Sequence, residues 1–247
     1  MRPEPTPEHW VDRKQLFLDN PDRMVPLEQS LSWEDDDRIS ASLKNLTVVG
    51  FDPGGTTGWS VMKVDYAKLM DLKLPVQDAV HAWYHGQVDC GSQSGSAGDS
   101  ATANGYELGI SETGEAAGAA ICVNIIELQF KIYAGLGTAV VIEDFIPREQ
   151  NMSRDFLSPV RVTSRIEQKL WELRAVTQWR QQPSEAKTAI TDDRLKNWGL
   201  CRDGQAARHA RDADRHALLF LRKARQKPGR IRDAWPVVAL AKERGLL

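Results

Sequence analysis

Three acids and one imidazole stand at positions where chemistry could use them. Asp52 follows the apolar, β-branched run Leu46–Phe51 and precedes a Pro-Gly-Gly turn. Glu143 interrupts a second such run, Thr138–Ile146, and Asp212 and His216 lie one helical turn apart in a long alanine-rich stretch. Carboxylates gathered from separate elements are oxygen ligands suited to hard divalent cations, Mg2+ or Mn2+, whose shells water and substrate phosphate can complete. Two such ions about 3.5–4 Å apart can activate a water and stabilise the leaving oxygen in phosphodiester hydrolysis. Asp52, Glu143, Asp212 and His216 are therefore the catalytic candidates, and the three acids are the candidate metal ligands. Each also has a plainer use. Asp52 could satisfy turn amides, and His216 could close the edge of a core. Glu143 is harder to explain as structure, because an unpaired carboxylate inside a buried run is costly.

These residues need elements to hold them. Thr47, Val48, Val49 and Phe51 read as a strand buried on both sides, so Asp52 sits where it meets solvent. A second strand restarts after the turn, and His81–Asp89 reads as a third. Ala119, Val123, Ile126, Phe130 and Tyr133 recur at helical spacing, and the second acid-bearing strand follows. In that strand Glu143 and Asp144 must face opposite ways, so at most one can turn toward Asp52. Ser158-Pro159 reads as the start of a helix marked by Val162, Ile166, Leu170 and Leu173. A short strand is expected near Ala175–Trp179, a turn at Pro183, and a brief helix capped by Thr191 and ended by Gly199.

The last long helix is expected from about Gly204 to Ala224. At 100° per residue its alanines, with Phe220 and Leu221, form a stripe about 100° wide that can lie close on a sheet. His209, Asp212 and His216 share one flank, while Asp214 projects from the other. Only one of the two aspartates can join a site with His216. Asp212 is the choice, and His209 and Asp214 are expected to be solvated.

Composition narrows the class. The chain has 247 residues with 41% hydrophobic content and a net charge of −2, enough for one large domain. No apolar run approaches the ~20 residues of a membrane span. Three scattered cysteines without CxxC pairing fit neither a disulfide framework nor a zinc site, and point to a reducing, cytoplasmic setting. Charge is unevenly distributed: residues 1–145 hold 10 Lys/Arg against 22 Asp/Glu, and residues 146–247 hold 22 against 12. The basic half suggests a polyanion-facing surface, with contacts drawn from Arg148, Arg154, Arg161, Arg165, Lys187, Arg222, Lys223, Arg225 and Lys227. Residues 1–45 are read as a partly ordered N-terminal extension, 46–226 as the main domain, 91–118 as a flexible Gly/Ser loop within it, and 227–247 as a basic tail.

DPGGTTGWS (Asp52–Ser60), VVIEDF (Val140–Phe145) and RDADRHALLFL (Arg211–Leu221), in this order, resemble the RuvC-like Holliday-junction resolvases of the RNase H-like superfamily, in particular their bacteriophage branch. The resemblance spans about Leu46–Ala224. It implies an α/β fold whose five-stranded mixed sheet has its first three strands antiparallel and is flanked by helices. It also implies a Mg2+- or Mn2+-dependent endonuclease, with two ions, that acts on branched DNA as a homodimer; a phage-encoded member would work in the host cytoplasm. The family's first-strand aspartate corresponds to Asp52 and its fourth-strand glutamate to Glu143. PSEAK (Pro183–Lys187) resembles a segment whose lysine lies near DNA. Two features depart from the pattern. Aligning on ALLFL places Ala213 and His216 where members commonly carry two acids, so Asp212 must reach in from a neighbouring position. Ile146 stands where a wedge aromatic is expected, with Phe145 one place earlier. Other readings share parts of this pattern: another RNase H-like nuclease, such as a packaging nuclease or an RNA–DNA hybrid hydrolase, and a non-catalytic junction-binding protein. An actin-like ATPase would need a second phosphate loop, which the chain lacks.

Overall fold

The computed structural model describes residues 36–90, 100–103, 106–110, 114–133, 136–145, 154–173, 178–200 and 208–247. Asp37–Leu247 form one compact body. Its sheet is built from β1 (Leu46–Asp52), β2 (Thr56–Val64), β3 (Val80–Asp89), β4 (Ser100–Ala103), β5 (Tyr106–Ile110), β6 (Thr138–Glu143) and β7 (Gln178–Gln181). The helices are α1 (Asp36–Leu43), α2 (Tyr66–Met70), α3 (Gly114–Tyr133), α4 (Arg154–Glu172), α5 (Pro183–Ala189), α6 (Asp192–Asn197), α7 (Arg208–Arg225), α8 (Pro228–Ala234) and α9 (Pro236–Glu243).

The strand order is β5-β4-β3-β2-β1-β6-β7. β1, β2 and β3 pair antiparallel, whereas β6 runs parallel to both β1 and β7. This is the expected α/β arrangement, a five-stranded mixed sheet with its first three strands antiparallel and helices on both faces. The hairpin of β4 and β5 adds two strands at the β3 edge. β1 is central and buried at every position, as its β-branched run requires.

Strand alternation separates the two faces. Val49 and Phe51 of β1, with Val140 and Ile142 of β6, join Cys122, Ile126 and Phe130 of α3 and Val162, Ile166 and Leu170 of α4 in one core. The alternate positions, Gly50 and Asp52 among them, face α7. A Cβ on Gly50 would lie 2.6 Å from the Ala213 carbonyl oxygen, and one on Gly58 of β2 only 1.9 Å from that of His209. Two strand glycines and the alanine stripe Ala210, Ala213 and Ala217, all fully buried, thus let α7 rest almost directly on the sheet backbone.

Several local expectations change. Within 91–118, the described residues form β4, β5 and the beginning of α3; a Ser/Ala-rich strand carries little side-chain signal because its pairing is a backbone matter. In 227–247, prolines at the helix starts open α8 and α9, and Trp235 is fully buried, its Nε1 donating to the Thr47 carbonyl at 2.9 Å. The basic residues there mask an apolar set of Ile231, Trp235, Val237 and Val238. Residues 36–43 form α1, which buries Ile39 and Leu43. Pro159 lies inside α4 rather than at its first position, and Ser158, instead of capping, donates to Glu115 at 2.5 Å. Pro183 begins a helix, not only a turn. Thr191 caps α6 by accepting from the Arg194 amide, as its spacing indicates, and Gly199 follows with φ +69°.

Candidate active site

β1 and β6 run parallel with Phe51 beside Ile142, so Asp52 and Glu143 occupy the next positions of two adjacent strands and turn to the same face. The carboxyl ends of parallel strands open naturally into a crevice. Asp52 is 7% exposed, and Glu143 is partly open to solvent. Asp144, facing the other way, pairs with Arg180 at 3.1 Å.

α7 supplies the facing wall. Residues 209 and 216 are seven apart, two turns of one helical face. His209 Nδ1 lies 2.9 Å from Asp52 Oδ2, and His216 Nε2 lies 2.7 Å from Glu143 Oε2. His216 is buried. Its Nδ1 is 3.2 Å from the Gln181 amide, and turning that amide so that its nitrogen faces the ring also satisfies the backbone of His216 and Phe220. Nδ1 then accepts, Nε2 carries the proton, and the imidazole donates to Glu143. Asp212, between the two histidines in sequence, is 3% exposed and held by two cations, Arg215 and Lys187, the latter at 3.2 Å. Arg215 is itself fixed by Asp192 and by the Ile190 carbonyl.

Electrostatics ties the three acids together. Burial, above all, holds the Asp52 carboxyl above its usual range; the negative charges of Glu143 and Asp212 add to this, and the His209 hydrogen bond opposes it. That same hydrogen bond to Asp52 raises His209, against the effect of burial.

The structure brings Asp52, Glu143, Asp212 and His216 into one neighbourhood and adds His209. His209, expected to be solvated, keeps 38% of its side chain exposed but engages Asp52. Its signal was present in the shared flank with Asp212 and His216, but the close approach of α7 that Gly58 permits was needed to seat it on Asp52. Asp214, also expected to be solvated, is not. It is fully buried against β3, where Trp83 Nε1 and His85 Nδ1 each lie 2.7 Å from it, and burial raises its carboxyl. Trp83 and His85, two apart in a strand, present a matched pair of polar groups to that flank of the helix.

The basic residues do not form one face. Arg161 and Arg165 lie on α4, on the sheet face opposite α7, where Arg161 pairs with Glu115 and Arg165 donates to Gln168. Lys187, Arg222 and Lys223 lie along α5 and α7, Arg225 donates to the Leu74 carbonyl, and Lys227 follows α7 exposed to solvent. Arg148 and Ile146 lie outside the described residues, as does the side chain of Arg154. Phe145 is half-buried.

The kind of donor fits a hard divalent cation: carboxylate oxygens at adjoining strand ends, in mutual repulsion that such an ion would relieve. The ligands are not assembled into a finished cage. Among the described residues no group of three or more His, Cys, Asp and Glu is disposed to hold a metal; Asp52 and Glu143 are engaged by imidazoles and Asp212 by Arg215 and Lys187.

No protein-family model matches the sequence, and no curated protein matches it. Among solved structures the chain is similar to Thermus thermophilus RuvC in complex with a Holliday junction substrate, with a TM-score of 0.44 and 15% identity over 73% of this chain and 96% of that one. It is also similar to a second Thermus thermophilus RuvC structure, with a TM-score of 0.40 and 17% identity over the same shares.

Proposed function

We propose that this protein is a divalent-metal-dependent endonuclease that cuts branched DNA of the Holliday-junction type, as the order and content of its three motifs suggest. One observation carries the reading. Asp52 and Glu143 end adjacent parallel strands on one face, each is met there by a histidine of α7, and Asp52 feels the charges of both Glu143 and Asp212. Nothing in the stability of the sheet calls for carboxylates at those positions, and burying one is unfavourable.

Asp52, Glu143 and Asp212 would hold the cation, which when bound supplies charge neutralisation at the phosphate and an activated water. The chain's own part is to keep these acids apart from bulk solvent and neutralised at rest. His209 covers Asp52, His216 orients Glu143 through its Nε2 proton, and Lys187 and Arg215 hold Asp212. Lys187 reaches the edge of the site from α5 and can exchange a carboxylate for a phosphate oxygen.

Side-by-side assays of a four-way junction, a flap, linear duplex and RNA–DNA hybrid, each with and without Mg2+ or Mn2+, test the reading. Cleavage of the junction alone or best, only with metal, is expected, with symmetrical nicks from a homodimer. Preferred cutting of the hybrid would instead assign another RNase H-like nuclease. The carboxylates' engagement by their own chain favours a second reading, a non-catalytic junction binder, which metal-independent binding without any cleavage would establish.

A further inference from the structure

Beside α7, away from the acids, an open groove of about 630 Å³ runs between that helix and α5. Leu219 forms part of its lining, and cations outnumber acids among its polar members. Arg194, Arg222 and Lys223 are cations, while Ser184, Thr188 and Gln226 are neutral hydrogen-bonding groups. The one acid, Glu185, is paired with Lys223. Arg222 and Gln226 are exposed, and among the described residues Arg222 makes no ion pair. Such a lining, basic in balance and without an aromatic side chain for bases to stack on, suits a run of phosphates.

Its placement says which phosphates. Asp212, Arg215, Leu219 and Arg222 follow one another at three- or four-residue steps, one stripe of α7, and Gln226 continues that spacing just past its last residue. Lys187, on the same short helix as Ser184 and Thr188, touches Asp212 at one end of that stripe. Arg222 lies ten residues beyond Asp212, about 15 Å along the helix at 1.5 Å per residue, or roughly four base-pair rises of duplex. We infer that the α5–α7 groove is a backbone track that holds the sugar-phosphate chain of one DNA arm about four base pairs from the point of cleavage. The inference rests on the proposed substrate and adds to it a second contact surface, separate from the acids.

Junction binding is measured by fluorescence anisotropy in an Asp52→Asn background, which keeps the DNA intact, with Arg222→Glu, Arg222→Lys and Gln226→Glu added singly. These side chains are exposed, Arg222 on the last turn of α7 and Gln226 just past it, so the fold is retained. Arg222→Glu is expected to weaken binding roughly three- to tenfold and to reduce the slope of log affinity against log salt by about 1. Arg222→Lys should restore both values, and Gln226→Glu should weaken binding in the same direction. Neutral methylphosphonates about four base pairs from the point of cleavage should weaken the parent but leave Arg222→Glu unaffected. If the parent binds with its salt dependence and the Glu variants coincide with it, the track is overturned while the substrate stands. If the parent binds no junction at all, the proposed substrate fails and the track falls with it.

Discussion

His209 Nδ1 lies 2.9 Å from Asp52 Oδ2, joining the first turn of α7 to the last residue of β1. The pair is a compromise. Burial makes ionised Asp52 unfavourable, and the imidazole recovers part of that cost. A metal or a phosphate arriving at Asp52 must compete with a ligand the chain already supplies.

Asp52→Asn is expected to abolish junction cleavage while raising the melting temperature at neutral pH. The folded carboxyl titrates above its ordinary value even with His209 in place, so the folded state binds more protons than the unfolded one across that interval, and stability falls as pH rises through it. Asparagine carries no charge and removes this loss. Thermal unfolding of the two proteins should differ at pH 7 and converge as the pH falls below the ordinary carboxylate range; metal-dependent cleavage by the variant would remove Asp52 from the chemistry.

Gly58→Ala is expected to cost about 1–3 kcal/mol, the usual effect of overpacking a tight contact. The added methyl would stand 1.9 Å from the His209 carbonyl oxygen, so α7 must lift at the end nearest Asp52. Cleavage should fall by a larger factor than stability accounts for, because His209 and Asp212 move with the helix. Urea titration and initial rates under conditions where the variant is fully folded separate the two effects.

Asp214→Ala should destabilise by about 2–4 kcal/mol, since it leaves the partly buried Trp83 and His85 nitrogens without the acceptor they meet on the buried flank of α7. Asp214→Asn keeps an acceptor oxygen and should lose less. Chemical denaturation ranks the two. Cleavage by folded Asp214→Asn is expected to stay near that of the parent, because this flank of α7 faces away from Glu143.

Lys63 predicts an alkaline effect. Burial lowers its ammonium to about 8 from 10.5, even though Nζ donates to Thr47 and Gln129. Between those values the unfolded chain binds the proton that the folded chain has released, so this group makes stability rise with pH across about 8 to 10.5. Subtracting the profile of Lys63→Met from that of the parent isolates the contribution; a flat difference would show Lys63 to titrate normally in the fold.

The strands and the long helices were legible because apolar residues fix their periods: β1, β6, the buried stripe of α3 and the alanine face of α7 all announce themselves. The β4–β5 hairpin was not, since β4 is Ser-Ala-Thr-Ala paired through the backbone and β5, Tyr106–Ile110, is a single short run set among glycine, serine and alanine. The end of the chain misled for the opposite reason, its arginines and lysines covering the helix pair that buries Trp235. At the site, Asp52 and Glu143 stood out as acids at the ends of apolar runs, and helical geometry put Asp212 and His216 on one flank. That geometry could not show which partner each flank would meet. Asp214 found Trp83 and His85 across a span of about 130 positions, and His209 found Asp52 across about 157, relationships no local pattern contains.

Gly50 and Gly58 leave α7 and the sheet touching through main-chain atoms, with no side chain as spacer on the strand side of those contacts. Substitution in the opposite core, among Val49, Phe51, Ile126 or Ile166, can alter packing volume without altering that interval. The positions of His209 and Asp212 over Asp52 are thus insulated from the drift that a hydrophobic interior ordinarily tolerates, and a family descending from this chain could exchange much of its core while keeping the two glycines.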